Sequence, residues 1–375
     1  MWLLMFLRKR LPTPFKHVPH CSLLIAKQVF AIITSDRFRE HTPPPGHPER
    51  PERADVMRRV AEGWRSRGGR VIEPRPATRD ELLRVHDKAH LETIASTAGH
   101  AVSLDPDTFT SPESHEVALL AAGAGVTAVD QILKPGADLT RAYALVRPPG
   151  HHAEREGAMG FCLYNNTAVA ASHALHRGAA RVAIVDYDVH HGNGTQWSFY
   201  DDPRVLYAST HQFPFYPGTG AADQVGRGAG VGFTLNVPLE VGATDADFSA
   251  VFRSLVLPVL EQFGPDLLIV SAGFDAHERD PLGGMRMTTE GYAVLTSDLC
   301  AISDRLCGGR VLFITEGGYD LSALTDCLER TVAVAADASR LAVQPERHDQ
   351  GVAIGRRAAT AIAAVRAAHA PYWQL

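Results

Sequence analysis

The residues best suited to chemistry lie between Asp186 and His190, where the sequence reads Asp-Tyr-Asp-Val-His directly after the apolar run 181–185. Alternate residues of a strand point the same way. A strand that continued through this stretch would therefore turn the carboxylate of Asp188 and the imidazole of His190 toward one crevice. Carboxylates and imidazoles are ligands of catalytic zinc. The stretch thus predicts part of a metal site.

Three more polar clusters follow apolar runs: 147–152 (Arg-Pro-Pro-Gly-His-His), 271–277 (Ser-Ala-Gly-Phe-Asp-Ala-His) and 316–319 (Glu-Gly-Gly-Tyr). Ligands of open α/β sheets bind beyond the carboxyl ends of the strands, so these clusters predict one functional site. Asp275 supplies a third ligand and leaves a fourth position for water, as in catalytic zinc sites. Two carboxylates leave the metal less positive than three histidines would, so Fe2+, Co2+ and Mn2+ stay open beside Zn2+.

The acid and base chemistry is assigned to His151 and His152, which follow a rigid Pro-Pro-Gly turn. Asp186 and Asn193 are the natural partners for the second nitrogen of each ring. Tyr319 offers a hydroxyl to a carbonyl oxygen that becomes negative during hydrolysis. In isolation, the two histidines would be read as surface residues of a turn and the tyrosine as a half-buried core residue. Which histidine is the base and which the acid stays open.

Bulk properties narrow the class of protein. The chain has 375 residues with 45% hydrophobic content, which suits one large α/β domain. A net charge of -5 without a long basic run argues against nucleic acid as a partner. Five scattered cysteines without a Cys-x-x-Cys pair argue for a reducing compartment. No uninterrupted apolar segment reaches the ~18 residues that a bilayer requires, so no membrane association and a cytoplasmic location are predicted.

The elements that must position these residues are short apolar runs separated by helical patterns, typical of a parallel sheet buried on both faces. We predict an α/β fold with a single domain over residues 29–375, an open parallel β-sheet and helices on both faces. Residues 1–28 show no clear period and are predicted to be a loosely attached N-terminal extension. The predicted strands are 29–33, 142–146, 182–185, 205–208, 267–270 and 311–314.

Helix boundaries are also readable. Thr78 and Glu81 have the spacing of a capping box. Ser111 followed by Pro112 is typical of an N-cap with proline at the first helical position. The Ala-rich stretches 116–133 and 166–176 predict helices that pack closely on the sheet, and 358–368 predicts a terminal helix.

Together these motifs resemble the histone deacetylase family, particularly the bacterial class II-like histone deacetylases and the acetylpolyamine amidohydrolases. The similarity runs from about Val29 to Tyr319 and follows the family order. The motifs that carry it are 46–53 (Gly-His-Pro-Glu-Arg-Pro-Glu-Arg), 147–154, 160–166 (Gly-Phe-Cys-Leu-Tyr-Asn-Asn), 186–194, 216–220 (Tyr-Pro-Gly-Thr-Gly) and 316–319.

The resemblance implies an arginase-like fold and zinc-dependent removal of acetyl groups from amines, with one Zn2+ per chain. The family's zinc ligands match Asp188, His190 and Asp275. Its tandem histidines and carbonyl-polarising tyrosine match the catalytic residues inferred above. The aromatic walls of its acyl-lysine channel match Phe161 and Tyr216, and Gly160 and Gly317 are expected beside the substrate.

Family members also bind structural K+ or Na+. The resemblance places one such ion on Asp186, the backbone oxygens of Asp188 and His190, and the Ser209 hydroxyl. It places a second on backbone oxygens near Phe199, Asp202 and Val205. Backbone ligation leaves no side-chain signature, so both sites rest on the resemblance alone.

Two positions separate this chain from parts of the family. Asn193 stands where class I members have Asp, so His152 is expected to be protonated less readily than beside an anion. Tyr319 stands where the weakly active vertebrate class IIa proteins have His. The tyrosine therefore supports activity on acetyl amides.

Acetylated lysine in a peptide or protein is the expected substrate, and a homo-oligomer stays open. One alternative is an acetylpolyamine deacetylase, which needs acidic groups at a narrow channel mouth; the candidates are Asp105, Asp107, Glu113 and Glu116. An alternative of another class is a non-catalytic acetyl-lysine binding module, which the complete set of ligands and Tyr319 disfavours. A two-metal ureohydrolase would need more ligands than the stretch 271–275 supplies.

Overall fold

A parallel sheet of eight strands forms the centre of the protein, whose computed structural model describes residues 29–337 and 354–375. Every hydrogen-bonded pair in this sheet is parallel, and the strand order is β2-β1-β5-β10-β9-β6-β7-β8. The remaining strands, β3 and β4, form a small antiparallel ribbon. In chain order, the strands are β1 Phe30–Ile33, β2 Arg70–Ile72, β3 Val102–Ser103, β4 Phe109–Thr110, β5 Arg141–Ala144, β6 Val182–Asp186, β7 Val205–Gln212, β8 Thr234–Leu239, β9 Leu267–Ala272 and β10 Val311–Thr315.

Helices cover both faces of this sheet. Among the residues described, none of these helices is both long and apolar enough to cross a bilayer. A π-helical turn, Phe252–Val256, joins α7 to α8, and a 3-10 helix spans Asp36–Glu40. The helices are α1 Glu52–Ser66, α2 Arg79–Leu82, α3 Lys88–Ser96, α4 Ser114–Ile132, α5 Asn166–His176, α6 Asn193–Phe199, α7 Asp245–Val251, α8 Leu257–Phe263, α9 Thr289–Cys307, α10 Leu321–Ala336 and α11 Arg356–His369.

The sheet separates two apolar cores because successive strand residues point to opposite faces. Ile32 of β1 belongs to the core under α1, α9 and α10, whereas Ala31 and Ile33 belong to the core under α4 and α5. All four residues of β1 are buried. The continuous apolar runs of the sequence follow from this double coverage.

The predicted fold class is confirmed, and each of the six predicted runs forms a strand of the main sheet. The two edge strands, β2 and β8, were not predicted. β2 has three half-buried residues, and β8 contains Asn236 and Pro238, a composition that is tolerated at an edge but does not read as a strand. The predicted extension over residues 1–28 lies outside the described residues.

The helix signals gave mixed results. The capping box at Thr78 and Glu81 is confirmed, as is the terminal helix. The N-cap predicted at Ser111 is wrong, because α4 begins at Ser114 with Glu113 at the cap position. The Ser111 hydroxyl donates to the Glu40 carbonyl at 3.2 Å, so it anchors the preceding loop and does not cap the helix.

The strand order brings four loops together. β5, β10, β9 and β6 are consecutive in the sheet although they lie far apart in the chain. Since all are parallel, the polar clusters that follow them meet at one edge.

The fold makes a prediction about close packing at Gly123 in the middle of α4. A Cβ there would lie 1.8 Å from the Arg75 carbonyl oxygen, so Gly123→Ala is sterically blocked by backbone. We expect this substitution to lower the free energy of unfolding by about 1–3 kcal/mol. Gly63→Ala in α1 is the matched control, because its Cβ would meet nothing nearer than 3.9 Å. It should raise stability by about 0.5–1 kcal/mol. Urea unfolding followed by circular dichroism measures both, and equal midpoints would contradict the packing argument.

Candidate active site

The ligands predicted on a strand lie instead in the loop after it. β6 ends at Asp186, and Asp188 and His190 belong to the segment between β6 and α6. The expected alternation along a continuing strand is therefore wrong. Local hydrogen bonds hold the loop: the Asp188 N–H donates to Asp186 Oδ1 at 3.1 Å, and the His190 N–H donates to Asp188 Oδ1 at 2.9 Å.

Asp188, His190 and Asp275 form a compact group in which one ligand atom from each lies within 4.8 Å of the others. His190 Nδ1 lies 3.2 Å from Asp188 Oδ1 and 3.3 Å from Asp275 Oδ2. Both aspartates are fully buried. Asp275 Oδ2 has no hydrogen-bond partner among the described residues, so a buried acceptor with a free lone pair points into the group.

The electrostatics of this group favour a cation. Burial and the neighbouring Asp188 raise the pKa of Asp275 to about 7. Burial opposes the charge on His190, but its contacts with Asp188 and Asp275 raise the pKa of the imidazole to about 9. Two carboxylates gathered in a buried space are costly without a counter-charge. The oxygen and nitrogen donors therefore fit a divalent metal.

Backbone N–H groups orient the carboxylates of this group. Gly317 donates to Asp188 Oδ2 at 2.8 Å, and Val189 donates to Asp275 Oδ1 at 2.9 Å. A Cβ at Gly317 would lie 2.0 Å from Asp275 Oδ2. The structure thus places Gly317 beneath the carboxylates, where only glycine fits, and not in the channel wall where a substrate contact was expected.

His151 is held by Asp186. Its Nδ1 donates to Asp186 Oδ2 at 3.1 Å, and the same oxygen accepts the Tyr207 hydroxyl at 3.1 Å. Burial opposes protonation, but the carboxylates of Asp188 and Asp186 raise the pKa of His151 to about 10. The inner histidine is therefore cationic at neutral pH in the metal-free protein.

His152 is held in one tautomer by an amide. Asn193 Nδ2 donates to Glu154 Oε1 at 2.6 Å, so the Asn193 carbonyl faces His152 and accepts its Nδ1–H at 2.7 Å. Burial and the neighbouring rings of His151 and His190 keep the pKa of His152 well below its usual value. A neutral His152 with an unprotonated Nε2 can accept a proton.

Glu316 supports the turn that carries the two histidines, a role that the sequence pattern did not reveal. Its Oε2 accepts the N–H groups of Gly150 at 2.6 Å and His151 at 3.1 Å. Its Oε1 accepts the hydroxyls of Thr167 at 3.2 Å and Ser271 at 3.1 Å. The only signal in the sequence was an acidic residue at the end of a buried apolar strand.

A narrow channel of about 210 Å³ leads to this site. The structure places Gly160, Phe161, Tyr216 and Tyr319 in its lining, together with Phe215 and Leu282, which were not predicted. The Phe215 ring stacks on His190 with centroids 5.3 Å apart. The complete lining is Asp107, His152, Gly160, Phe161, His190, Phe215, Tyr216, Leu282 and Tyr319.

The channel wall at Phe161 depends on an unusual backbone. Phe161 has a φ of 69°, in the left-handed region that side chains other than glycine rarely adopt. Its N–H donates to the Thr108 hydroxyl at 3.1 Å. At the preceding Gly160, a Cβ would lie 2.5 Å from His152 Cδ2. The wall is thereby held close against the histidine.

Of the four acidic candidates for the channel mouth, Asp107 alone lines the channel. Burial and the nearby Asp105 raise the pKa of the Asp107 carboxyl. Glu116 lies elsewhere, in an ion pair with Arg37 at 2.7 Å, and Glu113 occupies the N-cap of α4.

Tyr319 lies in the loop between β10 and α10. Its N–H donates to Asp280 Oδ2 at 2.6 Å, and its ring centroid lies 5.0 Å from the guanidinium carbon of Arg53. Burial raises the pKa of the Tyr319 hydroxyl well above its usual value, so the group stays protonated and can donate.

The residues expected to bind monovalent cations lie in two small groups. Asp186 and Ser209 are direct neighbours in the β6–β7 register, and the Ser209 hydroxyl lies 2.9 Å from His211 Nδ1. In the second group, the Asp202 N–H donates to the Phe199 carbonyl at 3.0 Å, and the Val205 N–H donates to the Asp202 carbonyl at 3.2 Å. Binding of K+ or Na+ at these groups stays a prediction.

Comparison with known proteins points to one family. Residues 47–335 match the family model described as the histone deacetylase domain. A rice (Oryza sativa subsp. japonica) protein named Histone deacetylase 10, chloroplastic, is 40% identical over 303 residues, which cover 76% of this chain and 68% of that protein. The human protein named Polyamine deacetylase HDAC10 is 41% identical over 343 residues, 87% of this chain but 49% of its own length. The crystal structure of the HDA15 HD domain matches with a TM-score of 0.82 and 36% identity over 92% of this chain and 96% of that one.

The partner of His152 can be tested by titration. Replacing Asn193→Asp together with Glu154→Gln exchanges the two groups, so that a carboxylate faces the ring Nδ1 and an amide lies beyond it. An adjacent anion favours the charged imidazole, so the pKa of His152 should rise by about 1–3. NMR titration of the histidine rings in metal-free protein measures this, with Glu154→Gln alone as the control. An unchanged His152 titration in the double variant would rule out control by its partner.

Proposed function

This chain belongs to the histone deacetylase family and is a hydrolytic deacetylase, and we propose that it uses Zn2+ to remove acetyl groups from lysine side chains of peptides or proteins. One observation carries the proposal. The buried group Asp188, His190 and Asp275 reaches a narrow channel through His190, and the neutral His152 and the hydroxyl-bearing Tyr319 line the same channel. The non-catalytic alternative has no support in this arrangement.

The channel suits an acetyl-lysine stem. Phe161, Phe215 and Leu282 present apolar surface to it, and Tyr216 adds an aromatic ring. Such a wall matches four methylene groups that carry no charge once the amine is acetylated. The acetamide would then reach His152 and Tyr319 at the inner end.

The reaction adds water across the amide and yields acetate and a free amine. Zinc held by Asp188, His190 and Asp275 would act as a Lewis acid on the acetyl carbonyl and lower the pKa of a water molecule. His152 Nε2 accepts the proton of the attacking water as the C–O bond forms. The same nitrogen then delivers this proton to the departing amine as the C–N bond breaks.

Tyr319 and His151 support this transfer. The protonated Tyr319 hydroxyl donates to the carbonyl oxygen as negative charge develops there. His151, held by Asp186, packs against His152 with ring centroids 4.1 Å apart and so supports the position of that ring.

A second candidate is deacetylation of an acetylated polyamine. Asp107 in the channel lining supports it, because a carboxylate there would attract a cationic substrate. One of the relatives described above is a polyamine deacetylase by name.

Several finer points belong to the proposal. Zinc is the favoured catalytic metal, with Fe2+, Co2+ and Mn2+ as alternatives. K+ or Na+ is expected at the two monovalent-cation groups described above, one around Asp186 and Ser209 and the other around Asp202. The cytoplasmic location stays a prediction, although the name of the rice relative contains the word chloroplastic. A homo-oligomer stays open.

The role of Tyr319 is tested by Tyr319→Phe, which removes one hydroxyl and keeps the ring. Loss of a single donor to the developing oxyanion should lower kcat by about 100- to 1,000-fold. Bound zinc, measured by elemental analysis, should not change. Tyr372→Phe, a substitution at a surface residue that is 41% exposed, is the control. Full turnover by Tyr319→Phe would remove the hydroxyl from the mechanism.

The substrate is tested by comparing kcat/KM for an acetyl-lysine peptide with kcat/KM for N-acetylputrescine, before and after treatment with a chelator. We expect the peptide to be preferred, both activities to vanish on chelation, and Zn2+ to restore them. A preference for N-acetylputrescine that is lost in Asp107→Asn would instead establish the polyamine alternative.

A further inference from the structure

Glu49 links the turn that carries His151 and His152 to the loop that carries Tyr319. The proposed mechanism requires these two parts of the site to be correctly placed relative to each other. Glu49 is fully buried, as are Arg53 and Arg147. Its carboxylate accepts from Arg53 Nη1 at 2.9 Å, and from Arg147 Nε at 2.8 Å and Nη2 at 2.7 Å. It also lies 3.3 Å from His41 Nε2. One anion therefore serves two buried guanidinium groups.

Arg53 donates hydrogen bonds to the backbone of the loop that contains Tyr319. Its Nε donates to the Gly318 carbonyl at 2.8 Å, its Nη2 donates to the Glu316 carbonyl, and its guanidinium faces the Tyr319 ring. The carbonyls fix two donors of the planar group, and Glu49 fixes a third. Since the carbonyls are neutral, Glu49 supplies the countercharge that a buried guanidinium needs.

Arg147 begins the turn that carries His151 and His152. Its Nη1 donates to the carbonyls of Phe38 and His41, both at 2.6 Å, and its other donors go to Glu49. Glu49 therefore sits between the base of the histidine turn and the base of the Tyr319 loop. It contacts both the arginine at the start of the histidine turn and the arginine that holds the Tyr319 loop.

We infer that Glu49 is a positioning residue for the Tyr319 hydroxyl, acting through Arg53. The inference rests on the role proposed for Tyr319. It goes beyond that role because Glu49 touches neither the channel nor the metal-binding group. If the Arg53 guanidinium shifts, the Tyr319 ring that it faces shifts with it. Small displacements of a group that acts on the reacting atoms lower the reaction rate strongly.

The test is Glu49→Gln, which keeps the size of the side chain but removes its charge. We expect kcat on the acetyl-lysine peptide to fall roughly 10- to 100-fold with KM unchanged. Bound zinc should stay at the wild-type level. The control is Glu81→Gln, another buried glutamate paired with an arginine, Arg75, at 2.6 Å but remote from the channel. It should leave kcat and KM unchanged.

A double-mutant cycle separates positioning from a general loss of structure. With Tyr319→Phe already present, Glu49→Gln should lower kcat by less than about threefold, because the hydroxyl that Glu49 positions is gone. If Glu49→Gln does not fold, Arg53→Lys replaces it in the same cycle, since lysine keeps the charge but not the planar set of donors. The same coupling to Tyr319 is expected.

Three results would overturn the inference: an unchanged kcat, effects that multiply in full with Tyr319→Phe, or a loss of zinc that matches the loss of turnover. The proposed function fails separately, if the wild-type protein hydrolyses neither acetylated substrate. A different result contradicts only the role of Tyr319: full activity of Tyr319→Phe alongside an active wild-type protein.

Discussion

Two carboxylates buried within reach of one imidazole impose the constraint on which the rest of the site depends. Asp188 and Asp275 are fully excluded from solvent, and burial together with the charge of Asp188 raises the pKa of Asp275. Like charges in a medium of low polarity repel strongly unless hydrogen bonds and a cation offset them. The surrounding loops meet this demand with backbone N–H groups: His190 and Gly317 donate to the two oxygens of Asp188, and Val189 donates to Asp275 Oδ1. Among the described residues, Asp275 Oδ2 has no donor.

The same demand explains the glycines around the group. A Cβ at Gly273 or Gly317 would lie 2.0 Å from a carboxylate oxygen of Asp188 or Asp275, respectively. Two of the four loops must therefore pass the carboxylates with bare backbone. Glycine at these positions lets the main chain reach the oxygens directly, and the Gly317 N–H uses that access.

Charge also organises the layer behind the residues that line the channel. Glu316 holds the turn of the tandem histidines, Asp186 holds His151, and Glu49 holds Arg53 and Arg147. Each of these carboxylates accepts several hydrogen bonds, and Glu316, Asp186 and Glu49 each contact a residue from a distant part of the chain. The side chains that face the channel are thus fixed by groups that never enter it, which is how a set of loops attains the precision of a rigid element.

The sequence by itself determined the strands of the sheet interior, because residues buried on both faces must be apolar in an unbroken run. It also determined the chemical types of Asp188, His190, Asp275, His151, His152 and Tyr319, which stand directly after such runs. Only the tertiary structure decided how they meet. Asp188 and His190 come together through the hydrogen bonds of a loop and not through strand alternation, and Gly317 lies beneath the carboxylates of Asp188 and Asp275. Glu49 and Glu316 stand in motifs that the sequence displays, but their roles, like that of Leu282, come from partners that folding brings together across long stretches of chain. Periodicity is a local property that a sequence displays directly, whereas proximity between distant residues is created by folding.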